Sequence, residues 1–103
     1  MNDIDLKDLI IKYPQILKIT PDTLSEYWSY TMGSYLGELD FKSTYADQGS
    51  DDLDLVELVM NIEKCLNIVI DDSIVDKLFN VNSKPINLTN WIRNEKLEKL
   101  GIN

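Results

Sequence analysis

Between positions 3 and 17 the apolar residues Ile4, Leu6, Leu9, Ile10, Tyr13, Ile16 and Leu17 recur roughly at the spacing of one helix face, until Pro14 interrupts the backbone ladder. This predicts a short helix ending near Tyr13. Thr20-Pro21-Asp22-Thr23 then gives start signals, with Pro21 suited to a first helical position and Thr23 able to form a capping box with Glu26. A second helix is expected to run to about Leu36 or Leu39, because Leu24, Tyr27, Trp28, Met32, Tyr35, Leu36 and Leu39 follow at three- and four-residue steps. Gly33 weakens that helix without forbidding it. Polar residues from Asp40 to Ser50, with Gly49 near the end, read as a connecting loop. Residues 52–66 contain strong helix formers and neither glycine nor proline, and Ser50 or Asp51 can cap their start. Asp71-Asp72-Ser73 opens a short helix through about Phe79. A last helix between Ser83 and Asn94 carries Ile86, Leu88, Trp91 and Ile92, and a charged tail follows from Glu95.

The helix over 52–66 has two apolar faces. At 100° per residue, Leu55, Leu58, Val59, Ile62, Cys65 and Leu66 gather on one broad side, the expected core face. Leu53, Val56 and Met60 meet on a nearly opposite side, where a helix covered on one side alone presents polar groups. Asp52 and Glu63 border this narrow strip on one margin, Asp54 and Glu57 on the other. An apolar centre with a polar rim is how docking surfaces are built. Periodicity alone equally allows the 40–50 loop or the amino-terminal helix to cover the strip, making it core.

Composition narrows the functional classes. Eighteen acidic against ten basic residues give a net charge of -8, which repels nucleic-acid phosphates and anionic lipid and favours a basic partner. No apolar run could span a bilayer, and no basic start followed by an apolar block marks a secretory leader, so a cytoplasmic protein is expected. The chain has no histidine, which removes imidazole catalysis and histidine metal sites; its one cysteine, Cys65, can build neither a disulfide nor a zinc site and is expected to be a buried structural thiol. Positions 47 to 58 superficially resemble a calcium loop, but Asp52 stands where that loop has glycine and Leu58 where it has glutamate. The pairs Asp51–Asp52 and Asp71–Asp72 lie at predicted helix starts, where capping accounts for them. No metal site, no catalytic residues and no enzymatic activity are expected.

The run from Asp47 to Met60, DQGSDDLDLVELVM, resembles the acyl carrier protein signature D-L-G-x-D-S-L-D-x-V-E-L-V-M, with matches at Asp47, Gly49, Asp51, Leu53, Asp54, Val56, Glu57, Leu58, Val59 and Met60. Ile68 to Asp72 is similar to the family's approach to its third helix, and Val81 to Ile92 to its last helix. The resemblance, which spans roughly residues 22–94, implies an all-α fold there: an acyl-carrier-like four-helix bundle with a long first loop; an extra helical extension (1–21) and a charged tail (95–103) are expected on either side, outside the resemblance. It implies that the helix after the signature docks onto basic patches of partner enzymes. That favours Asp51, Asp52, Leu53, Asp54, Val56, Glu57, Met60 and Glu63 as partner-binding residues, and an enzyme that normally receives an acyl carrier protein as the partner. Lys64 departs from the pattern, being positive where the family is usually acidic.

Asp52 is the larger departure. The family places there the serine whose hydroxyl holds 4'-phosphopantetheine as a phosphodiester. A carboxylate attacking the same phosphorus would give a mixed anhydride that water readily hydrolyses, so no cofactor is expected on this chain. Negative charge in a first helical turn gains roughly 0.3 to 1 kcal/mol from the macrodipole, which explains Asp52 as a stabilising surface residue; its charge could also imitate the phosphate of a modified serine. The expected function is a non-catalytic carrier-like interaction module. Two alternatives remain open: a working acyl or peptidyl carrier, modified at Ser50 or derived from a parent with serine at 52, and an acidic decoy that mimics nucleic acid.

Overall fold

The computed structural model describes residues 6–101. Every regular element among them is helical: α1 (Leu6–Lys12), a 3-10 turn (Pro14–Lys18), α2 (Pro21–Met32), α3 (Asp52–Leu66), α4 (Asp72–Leu78) and α5 (Pro85–Lys99). The part of the first expected helix that precedes residue 6 lies outside the described residues.

Pro14 ends α1 as its missing N–H requires, and the Tyr13 N–H still donates to the Leu9 carbonyl at 2.7 Å. The described part of the expected amino-terminal extension packs into the core. Leu9, Ile10, Ile16 and Ile19 are buried in the same core cluster as Leu24 and Trp28 of α2, Leu58 and Ile62 of α3, Ile74 of α4 and Leu88 and Ile92 of α5. The radius of gyration, 13.3 Å, matches the roughly 13 Å expected of a single domain of about 100 residues.

α2 starts where expected, with a different cap. The Thr20 hydroxyl accepts from the Thr23 N–H at 3.2 Å while the Thr23 hydroxyl accepts from the Thr20 N–H at 2.8 Å, so the box closes between two threonines and Glu26 stays exposed. Its end falls at Met32 rather than at Leu36 or Leu39. Gly33 adopts φ 63°, a left-handed conformation that stops the helix at little cost to a residue without Cβ. The Trp28 indole N–H donates to the Gly37 carbonyl at 3.0 Å, tying the departing chain back onto α2.

The loop from 33 to 51 is held at several points. Tyr45 is fully buried and stacks on Trp28 with ring centroids 5.9 Å apart. The N–H groups of Tyr45 and Ala46 donate to the carbonyls of Ser83 and Val81, which pins the loop to the α4–α5 corner. The Gln48 side chain clasps the loop from within, accepting from the Asp40 N–H and donating to the carbonyls of Asp40, Ser43 and Thr44.

Two further expectations are corrected. α5 continues through Lys99, so most of the expected charged tail is helix, with Leu97 half-buried along it. Cys65 is exposed. α2 and α3 run antiparallel, tied where the Asn61 amide donates to the Thr31 hydroxyl at 2.8 Å; one turn further along α3, Cys65 falls at the open margin of that seam beside half-buried Tyr27. Leu55, Leu58, Val59 and Ile62 alone form the buried stripe, and Leu66 is half-buried.

Candidate functional site at the start of α3

The site begins with a helix cap. Asp51 is extended (φ −105°), and its carboxylate accepts from the Asp54 N–H at 2.9 Å while the Asp54 carboxylate accepts from the Asp51 N–H at 3.0 Å. Both side chains thereby satisfy amides that a helix start leaves open. Of the two caps the sequence allowed, Asp51 serves and Ser50 does not. The Ser50 N–H donates to the Tyr45 carbonyl at 3.0 Å, closing a turn through Gly49, whose φ is 95°. Ser50 is turned inward, 5% exposed, with its hydroxyl buried and lacking a hydrogen-bond partner.

Asp52, next along the chain, is exposed at the first position of α3. Beyond it Leu53, Val56 and Met60 are 65%, 49% and 53% exposed, too open for core side chains. The covering elements that periodicity allowed are engaged elsewhere: the 40–50 loop sits on Trp28 and the α4–α5 corner, and α1 with the 3-10 turn supplies core residues.

The acidic border is built unevenly. Glu57 is exposed, and so is Lys64. Glu63 is half-buried and its carboxylate accepts from the Ile70 N–H at 2.8 Å, so it fastens the α3–α4 connection instead of standing free on a rim. Asn67 makes that connection sharp by taking up a left-handed conformation (φ 55°) at the end of α3.

One part of the site escaped sequence reasoning. A shallow pocket of about 170 Å³ opens between α3 and α4, lined among others by Asp52, Leu55, Val56, Val75, Asp76 and Phe79. It extends the exposed strip sideways from Val56 and sets a second carboxylate, Asp76, across from Asp52. The only signal in the sequence was the step of three and four residues from Val75 to Leu78 and Phe79, too short a stretch to orient α4 against α3.

Among the described residues no group of three or more acidic or thiol side chains converges to hold a metal ion, and no helix is long and apolar enough to cross a membrane. Comparison with protein-family models, with curated proteins and with solved structures found no match for this chain. The resemblance to acyl carriers therefore rests on the sequence signature from Asp47 to Met60.

Proposed function

We propose that this chain is a non-catalytic, carrier-like interaction module that binds a partner protein through Leu53, Val56 and Met60 and the carboxylates around them. The observation that carries the reading is the exposure of those three side chains on a helix whose other face is buried. Their burial on docking supplies affinity. Asp52, Asp54 and Glu57 lie beside them, and Asp76 lies across the pocket from Asp52; a basic patch on the partner is the complement, speeding encounter more than it tightens the complex. The order of elements agrees with the bundle that the carrier resemblance implies: a helix, a long loop, the signature helix, a short helix and a closing helix. An enzyme that receives acyl carrier proteins is the partner that fits.

Two features weigh against a working carrier. Asp52 offers no hydroxyl, and the Ser50 hydroxyl is buried beneath its own turn, out of reach of a transferase.

The test uses Val56→Glu and Met60→Glu in a titration against a purified acyl-carrier-dependent enzyme. A central interface side chain is worth about 2 kcal/mol, so each variant is expected to weaken binding by roughly thirtyfold. Surface changes of this kind move stability by only about 0.5 kcal/mol, so the thermal midpoint should hold. Unchanged affinity, or unfolding of the variants, would defeat the reading.

A further inference from the structure

Away from α3, the start of α2 and the second half of α5 enclose a cleft of about 460 Å³, within the size range of small-molecule sites. Ile19 and Ile92 close its floor almost wholly buried, and Pro21, half-buried Leu97 and exposed Leu100 form its open apolar wall. Among the described residues Arg93 and Lys96 are its charged lining residues, and no carboxylate lines it. Among the described residues neither cation has a carboxylate partner in ion-pair range. Arg93 is the one arginine of a chain whose net charge is -8, so an unopposed pair of positive side chains against apolar walls runs counter to the rest of the composition.

This lining specifies its ligand by charge and polarity together. An apolar molecule alone would leave the two cations unused, and a small anion alone would leave Pro21, Leu97 and Leu100 in contact with water. A single-chain amphiphile with an anionic head satisfies both, because guanidinium presents a planar fork that matches a carboxylate bidentately. Thr20 and Pro21 bring the positive end of the α2 dipole to the same cleft. We propose that the cleft binds a free aliphatic carboxylate, with its chain against Pro21, Leu97 and Leu100 and its head against Arg93 and Lys96. None of the lining residues belongs to α3, so this binding and partner docking stand or fall separately.

Calorimetric titration of the full chain with decanoate and dodecanoate, each below its micelle concentration, tests the assignment. One equivalent should bind, with affinity rising about two- to fourfold per added methylene as apolar surface is buried. Replacing both Arg93→Gln and Lys96→Gln should weaken dodecanoate by about tenfold or more through lost charge-assisted contacts, at an unchanged thermal midpoint. Methyl NMR shifts should fall on Leu97 and Leu100. The proposal is overturned if binding does not saturate, if dodecyltrimethylammonium binds as tightly, or if the double variant keeps full affinity. Shifts confined to Val56 and Met60 would likewise overturn it, and tighter binding of dodecyl phosphate would overturn the carboxylate head.

Discussion

Two polar groups, Tyr45 and Ser50, are enclosed by the fold without hydrogen-bond partners for their hydroxyls. Leaving such a group unpaired costs about 1–3 kcal/mol, so the ring of Tyr45, buried against Trp28, must repay what its hydroxyl loses. Burial also pushes the Tyr45 phenol above its ordinary value of 10.0, and burial acts in the same direction on Tyr27, helped by the nearby Cys65 and Glu26 charges. A raised folded-state pKa means that the native state holds its proton more firmly than the unfolded chain. Its stability contribution is thus fully present below about pH 10 and is lost as pH rises above that value. Thermal midpoints should be level from neutrality to about pH 10 and then fall. Tyr45→Phe is expected to unfold at the same temperature as the native chain or higher at pH 7, and to decline less steeply above pH 10; a clear loss of stability at pH 7 would show the hydroxyl to be paired. None of this was legible in the sequence, where Tyr45 stood inside a stretch polar enough to read as plain loop. Asp51 was legible as a cap, but only alongside Ser50, because the choice between them depends on a turn that folds Ser50 inward.

At the scale of elements, Glu63 ties α3 to the segment leading into α4. Its bond to the Ile70 N–H is charge-assisted and half-buried, so Glu63→Ala should cost about 1–2 kcal/mol in urea unfolding. Glu63→Gln should recover part of that, since an amide oxygen can still accept. Loss of partner binding in Glu63→Ala without loss of stability would return Glu63 to the docking rim. The spacing of Leu53, Val56 and Met60 set them opposite the buried stripe, because α3 is long, uninterrupted and capped by its own sequence, but left open whether another segment covers them; their exposure became visible in the structure alone. The end of α2 was illegible for the opposite reason. Leu36 and Leu39 keep helical spacing, yet they are half-buried from a loop that Gly33 starts and Trp28 secures. The end of α5 was missed because apolar periodicity fades after Ile92. What carries it on is helix propensity, together with Glu95 and Lys99 at the favourable i, i+4 separation.

Across the whole molecule the excess of negative charge acts on folding and docking in opposite senses. The ion pair seen between Lys7 and Glu98, at 3.3 Å, is exposed at both ends and contributes little, while a net charge of -8 repels itself. Added salt should therefore raise the thermal midpoint by a few degrees while slowing association with a basic partner. A midpoint that falls with salt would show favourable pairing to outweigh the repulsion. The molecule joins a core shared by the described helices to a helix whose outer face stays open, and Asp52 stands at the head of that face, at the position the sequence resemblance pairs with a carrier's serine. The most direct test is intact-mass measurement of the native chain and of Asp52→Ser after incubation with coenzyme A and a phosphopantetheinyl transferase. If the proposed reading holds, the native chain is expected to keep its mass and Asp52→Ser to gain one phosphopantetheine group. A native chain that takes up the group, or an Asp52→Ser chain that folds and refuses it, would contradict the account.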